Sequence, residues 1–256
     1  MNITIKTPEE IDIMQEGGEK LARVRDRLFE EIKENVSAAE IEKLANDLIE
    51  EEGAKASFKT VRNYKWATCV NINDGVVHGI PHQHIIFKQG DIVSVDVGLI
   101  YKDFHSDTSV SRLVGDAPKK KMFLEAGRES LDGAIAQARV GNSVRHISAA
   151  MQQTLKKHNL NPIRALTGHG IGKSLHEDPL VPCFVSNDRH ESVELVEGMT
   201  LAIEVMYTNG SGDLVMEDDG WTLSTKDAKI AALFEETVAI TSDGPLVLTK
   251  DKNGKE

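Results

Sequence analysis

IVSVDVGLIYKDFHSDTSVSRLV, residues 92–114, reads as two strands joined by a short turn, with an aspartate inside each. Ile92 to Ile100 and Phe104 to Val114 are rich in the β-branched and alternating residues that strands favour. Asp96 interrupts the apolar run Val93, Val95, Val97, and a carboxylate inside such a run is rarely buried without a partner. Asp107 follows at an odd number of positions. An even-length turn near Tyr101-Lys102 therefore sets the two carboxylates opposite one another on one face of a hairpin. Facing carboxylates repel, and a cation between them removes the repulsion. Taken alone, the pair also has a plainer account, with one Asp at an exposed strand end and the other capping a turn.

The pattern recurs. Glu204 interrupts the strand-like run Met199 to Tyr207, and Glu235 interrupts Ile230 to Thr241. Glu236 must point opposite to Glu235 and reads as a solvent-facing residue. His169 lies in Thr167-Gly168-His169-Gly170-Ile171-Gly172, where the glycines let the backbone turn tightly and present the imidazole. A phosphate loop is excluded: Gly168 and Gly172 enclose three residues where the Walker pattern needs four, and no helix follows. Asp96, Asp107, His169, Glu204 and Glu235 together form an oxygen-rich set suited to two divalent ions sharing carboxylates. Such a pair ionises water at neutral pH and clamps a tetrahedral transition state, which is hydrolase chemistry. His176 lies seven residues beyond His169, and His78 sits between the apolar Val76-Val77 and a Gly79-Ile80-Pro81 turn, a rim position. His169 or His176 alone is more often an ordinary polar residue than a ligand, and a lone His78 at the rim proves nothing.

The bulk numbers agree with a globular enzyme. The chain has 256 residues, 40% hydrophobic and 28% charged, with a formal net charge of -11. That charge opposes a stable grip on nucleic acid or anionic membrane. Cys69 and Cys183 form no disulfide framework, Met1 to Glu10 carries no apolar signal stretch, and no apolar run approaches the ~18 residues of a membrane helix. A cytoplasmic location is expected. Thr7-Pro8-Glu9-Glu10 and Ser37-Ala38-Ala39-Glu40 are capping boxes, opening a helix that fades near Glu34-Asn35 and another that ends before Gly53. Met122 to Ala138 and Ser143 to about Asn159 repeat the helix pair, and strand-rich segments follow each pair. Two pseudosymmetric halves in an α/β (α+β) chain are expected, with antiparallel strands and ligands drawn from both halves. A Lys-rich disordered tail is expected after Thr249.

The segments Asn71-Ile72-Asn73 through His78-Gly79-Ile80-Pro81, Val95-Asp96-Val97, His105-Ser106-Asp107-Thr108, Thr167 to Gly172, His176-Glu177, Gly198-Met199-Thr200 through Glu204, Asp219-Gly220-Trp221-Thr222 and Phe234-Glu235 resemble, in order and spacing, type I methionine aminopeptidases. The resemblance runs over roughly residues 5 to 245. It implies the pita-bread fold as a single catalytic domain around a dinuclear site for Co, Mn, Fe or Zn. By position, Asp96 would chelate one ion, Asp107 and Glu235 would bridge both, and His169 and Glu204 would complete the second. A metal-activated water would attack the first peptide bond, with Glu204 transferring protons. His176 would bind the carbonyl oxygen and His78 the scissile nitrogen. Phe58, Tyr64, Cys69, Leu175 and Trp221 fall where the family lines its methionine pocket. The implied partners are N-termini of nascent polypeptides with a small second residue, met in transient contact with the ribosome; a monomer is expected.

Five positions depart from the family pattern: Lys65 for Pro, Leu175 for Phe, Val205 for Pro, Leu233 for Gln and Glu236 for His. None is a metal ligand, but Glu236 is expected to add negative charge near the site. The same ligand set also serves proline-specific peptidases of this fold, which generally carry a large extra N-terminal domain, for which the helix start at Thr7 leaves no room. Type II enzymes insert a subdomain between the His169 and Glu204 segments, where this chain is short. A non-catalytic peptide-binding protein of this fold would be expected to lack some ligands.

Overall fold

The computed structural model describes residues 1–186 and 189–250. Among the described residues four α-helices form, α1 (Pro8–Glu31), α2 (Ala38–Glu51), α3 (Pro118–Ile135) and α4 (Val144–Lys157), and α1, α2 and α4 start where Thr7, Ser37 and Ser143 signal them. At α1, Thr7 Oγ1 accepts the Glu10 N–H at 3.3 Å while the Glu10 carboxylate accepts the Thr7 N–H at 3.1 Å. Ser37 and Glu40 repeat the exchange at α2. Both boxes satisfy amides that the first helical turn leaves unpaired. Two boundaries differ from expectation. α1 stops at Glu31, and the helix expected over Met122–Ala138 begins four residues earlier, at Pro118. Proline at the first helical position is the start signal there, ahead of the lysine run.

Thirteen strands lie among the described residues, five after α2 and eight after α4: β1 (Lys55–Ala56), β2 (Thr68–Ile72), β3 (Gly75–Val77), β4 (Ile92–Tyr101), β5 (Phe104–Leu113), β6 (Asn161–Pro162), β7 (Thr167–Gly170), β8 (Glu177–Pro182), β9 (Thr200–Thr208), β10 (Leu214–Met216), β11 (Leu223–Thr225), β12 (Ala231–Thr241) and β13 (Gly244–Val247). Ten of them make one antiparallel sheet in the order β1-β4-β5-β12-β9-β7-β8, with β2 on β4, β6 on β9 and β13 on β12. Strands β10, β11 and β3 form a small second sheet. Helix α1 packs on β4 and β5, and α3 packs on β9 and β12. The two helix-then-strand halves expected from the sequence are present, and they meet where β5 runs beside β12. Among the described residues, no helix is long and apolar enough to cross a membrane.

The hairpin of β4 and β5 forms with its turn one residue later than expected. Tyr101 faces Phe104, and the turn residues Lys102 and Asp103 both have positive φ, 46° and 67°. That is the twist a two-residue hairpin loop demands. The shift moves the register by two, so Asp96 faces Ser109 and Asp107 faces Gly98. The two carboxylates keep a common face but are diagonal neighbours instead of opposite ones.

Glu236 also corrects its reading. It does point away from Glu235, but the face it points to is covered by helices. It is 7% exposed, and Arg25 of α1 donates through Nη1 to both of its oxygens at 3.1 and 3.0 Å. Arg128 of α3 reaches it at 3.4 Å and Thr249 Oγ1 donates at 2.6 Å. Its charge is thus neutralised behind the sheet. The Lys-rich tail lies, from position 251 on, outside the described residues. Glu236→Ala takes from the largely buried Arg25 one of its two carboxylate partners, leaving the exposed Asp26, and is expected to lower stability by about 2 kcal/mol, read from urea denaturation. A change below about 0.5 kcal/mol, the size of an exposed-surface effect, would contradict this account of the network.

Candidate metal centre

Register alone gathers the site. Facing residues of an antiparallel sheet share a face. Cys69 of β2 faces Asp96 of β4, Asp96 faces Ser109 of β5, Ser109 faces Glu235 of β12, and Glu235 faces Glu204 of β9. This is one row across five strands. Asp107 lies two residues from Ser109, and His169 of β7 faces Ala202, two residues from Glu204. The period of two puts both on the face of the row.

The seam at the centre of the row is held by hydroxyl groups. Strands β5 and β12 share one register pair, Glu235 with Ser109. Thr108 Oγ1 donates to the Glu235 carbonyl at 2.8 Å, and Thr237 Oγ1 donates to the Asp107 carbonyl at 2.8 Å. Thr237 Oγ1 also accepts the Asp107 N–H at 2.9 Å, and Ser111 Oγ donates to the Leu233 carbonyl at 2.8 Å. The backbones of Asp107 and Glu235 are therefore fixed relative to one another by side chains that the sequence places beside them.

All five residues line one cavity of about 410 Å³, together with His78, His176, Phe58, Tyr64, Cys69, Leu175 and Trp221. Asp107, His169 and Glu235 each present a ligand atom, and these atoms lie within 4.8 Å of one another. Asp107, His169, Glu204 and Glu235 are buried, and Asp96 is open to solvent only in part. Asp96 Oδ1 and Asp107 Oδ1 are buried with no hydrogen-bond donor facing them. Burial, and after it the neighbouring carboxylates, pushes Asp107, Glu204 and Glu235 well above the ordinary carboxylate range. Burial takes Asp96 up to about 7. Among the described residues, no lysine or arginine lines the cavity to answer these charges.

The imidazole is prepared in a complementary way. Burial, with His176 nearby, lowers His169 to about 3, so it is neutral. Its Nδ1 faces the Gly170 carbonyl at 2.8 Å. That bond assigns the proton to Nδ1 and leaves the Nε2 lone pair for a metal. Neither Gly168 nor Gly170 has a positive φ, which corrects the tight-turn reading. They are glycines because neighbouring backbone comes close: a Cβ on Gly168 would lie 2.5 Å from the Ala202 carbonyl oxygen, and one on Gly170 2.3 Å from that of Asp178. Orphaned carboxylate oxygens, a neutral imidazole and the lack of a resident cationic side chain all fit two divalent ions.

His78 and His176 stand at the mouth, exposed to solvent. Partial burial lowers both below the ordinary histidine value. His78 has φ 59°, a left-handed conformation rare outside glycine. The His176 ring meets that of His169 edge-on, with centroids 4.5 Å apart. Of the departures, Val205 is fully buried and points, like Glu236, away from the ligand beside it. Leu233 is buried beside Met206, Lys65 is exposed, and only Leu175 forms part of the cavity wall. Sequence reasoning missed Val61, Val77, Ala165, Leu166, Thr167, Leu180 and Met206, which also line the cavity. Counting by two from Glu204 and His169 finds Met206, Thr167 and Ala165, and Leu180 faces His169 across β7 and β8; Leu166 carries no such signal.

The fold and this donor set define a metal-dependent hydrolase. Residues 12–242 match the model of metallopeptidase family M24. A methionine aminopeptidase from Aquifex aeolicus is 36% identical over 257 residues, covering 98% of this chain and all of that protein. The crystal structure of a methionine aminopeptidase from Thermotoga maritima superposes with a TM-score of 0.94 at 38% identity, covering 97% of this chain and 100% of the other. A prolidase from Pyrococcus horikoshii shares the fold at a TM-score of 0.74 and 22% identity, and this chain covers only 64% of it. The chain belongs to metallopeptidase family M24 and has its pita-bread fold.

The raised carboxyl groups give a pH signature. Freed of metal, the folded chain keeps protons that the unfolded chain releases above about pH 4. Their stabilising contribution is complete below that pH and lost as pH rises through the folded values, about 7 for Asp96. The melting temperature of chelator-treated protein is expected to fall by several degrees from pH 6 to pH 8, and saturating Mn²⁺ to remove most of that fall. Scanning calorimetry reads both; a flat profile without metal would contradict the burial of these groups.

Proposed function

We propose that the chain is a metal-dependent methionine aminopeptidase that removes the initiator methionine from polypeptides with a small second residue. The observation that carries this reading is the joining, in one cavity, of the five metal-ligand candidates, both rim histidines and an apolar wall. Near full-length similarity to methionine aminopeptidases supports it.

In this reading Asp96, Asp107, His169, Glu204 and Glu235 would together hold two divalent ions. Two bound divalent ions supply Lewis acidity and a water that ionises at neutral pH. The Glu204 carboxylate accepts the proton of the attacking water and returns it to the departing amine nitrogen. His176, neutral because its pKa is lowered, donates an N–H to the substrate carbonyl oxygen and to the oxyanion that develops there. His78 contacts the scissile nitrogen in the same protonation state. Phe58, Tyr64, Cys69, Leu175 and Trp221 receive the methionine side chain, an apolar and polarisable surface suited to a thioether. The wall is stiff: the Tyr64 and Trp221 rings meet edge-on at 5.0 Å, and the Tyr64 hydroxyl donates to the Thr68 carbonyl at 2.9 Å. The whole chain works as one catalytic domain on nascent N-termini in the cytoplasm, as a monomer in transient contact with the ribosome. Its net charge of -11 gives no general grip on nucleic acid or membrane.

The test is release of methionine from Met-Ala-Ser by the Mn²⁺- or Co²⁺-loaded protein, with Ala-Pro-Ser as control. Cleavage of the methionine peptide alone, abolished in Asp107→Ala, is expected. His176→Ala should lower kcat by about 100-fold, the usual loss for one oxyanion donor. Cleavage of the proline peptide alone would reassign the chain to proline-specific peptidases; cleavage of neither by folded, metal-loaded protein would make it a binding module.

A further inference from the structure

One buried ion pair lies against the turn that carries His176 and takes no part in the chemistry above. Lys6 is 4% exposed, and its Nζ donates to Glu177 Oε2 at 2.7 Å. The two side chains are 2% and 10% exposed. A lysine is rarely taken this far from water without a partner. The other oxygen, Glu177 Oε1, accepts the Ser174 N–H at 3.1 Å, and the Gly172 N–H donates to the Ser174 carbonyl at 3.1 Å. Residues 172–177 thus fold back on the Glu177 carboxylate, with Lys6 pressed against them. A Cβ on Gly172 would lie 2.5 Å from Lys6 Cε and 2.9 Å from Glu177 Oε1, so the turn rests directly on the pair.

Both ends of the arrangement are anchored. The Lys6 N–H donates to the Gly198 carbonyl at 2.8 Å, and the His105 N–H to the Gly172 carbonyl at 2.8 Å. Ile3 pairs with Asp178 in a parallel bridge just past the turn. The His176 ring, by contrast, has no hydrogen bond among the described residues and touches the His169 ring edge-on. Its aim is therefore set by the backbone of the turn.

We infer that Lys6 is a positioning residue for the reaction: by neutralising Glu177 against the turn, it holds residues 172–177 so that His176 meets the substrate carbonyl. This rests on the aminopeptidase reading and on His176 as the carbonyl donor. Lys6→Met keeps the chain length and removes the charge, which frees the Glu177 carboxylate to pull the turn towards water. Asp96, Asp107, Glu204 and Glu235 lie on other strands, but His169 lies on β7, whose Gly170 pairs with Glu177, so metal content is read alongside activity.

The experiment is a double-mutant cycle on the Mn²⁺-loaded full chain, with kcat and KM for Met-Ala-Ser, melting temperature and metal content measured together. Lys6→Met is expected to lower kcat about tenfold, as misaimed catalytic groups do, with KM within about twofold and metal content unchanged. Lys6→Arg should restore most of the loss. In a His176→Ala background the same Lys6→Met change should cost less than about twofold, because residues acting through one group are not additive. An equal loss in both backgrounds, or a loss tracking metal content, would overturn the proposal and leave the pair a purely structural one. Should Lys6→Met not fold, Lys6→Met/Glu177→Gln removes the freed carboxylate as well and is expected to keep kcat within about threefold, whereas a larger loss that is equal in the His176→Ala background would overturn the proposal. A wild-type chain that releases no methionine refutes the aminopeptidase reading itself, whereas an active wild type with additive losses refutes only the role of Lys6.

Discussion

Four carboxylates brought to one buried face place a demand that this chain does not meet from its own side chains. Asp96, Asp107, Glu204 and Glu235 share a cavity that no lysine or arginine among the described residues lines, and two of their oxygens have no hydrogen-bond partner there. Without metal they hold protons well above the usual carboxylate range, because burial penalises each charge and neighbouring carboxylates add to the penalty. Divalent ions reverse the balance: the same burial that disfavours bare carboxylates strengthens their attraction to a cation. Most other features of the structure serve to hold this costly cluster together.

Sheet register does most of that holding. One row across β2, β4, β5, β12 and β9 carries Cys69, Asp96, Ser109, Glu235 and Glu204, so an error of one residue in any pairing would turn a ligand to the wrong face. The row crosses the meeting line of the two halves, where Thr108, Ser111 and Thr237 replace ladder bonds with hydroxyl bonds. Behind the row, the Arg25, Arg128 and Thr249 contacts neutralise Glu236, so the acidic pair Glu235-Glu236 splits between two environments. One carboxylate is answered by protein cations and the next is left for metal. Similarity to methionine aminopeptidases and the apolar, aromatic wall beside the cluster give this arrangement its reading as an exopeptidase for methionine.

Much of this was legible in the residues. The common face of Asp96 and Asp107 follows from parity, which survives any even-length turn. Their diagonal offset does not, because Lys102-Asp103 lacks the Asn-Gly or Asp-Gly signature that marks a two-residue turn. His169 was legible as a ligand candidate from its chemistry, but its flanking glycines answer to the backbones of Ala202 and Asp178, which are distant in sequence. The burial of Glu236 was hidden for the same reason: alternation gives the face, and only tertiary packing says whether helices cover it. Lys6 left no local trace, since its partner Glu177 lies 171 positions away.

The central claim is that the carboxylate row exists to hold metal, and counting the ions tests it most directly. After equilibrium dialysis against micromolar Mn²⁺ or Co²⁺, elemental analysis should find two ions per folded wild-type chain and no more than one in Glu235→Ala. A folded wild-type chain that retains none would contradict the claim.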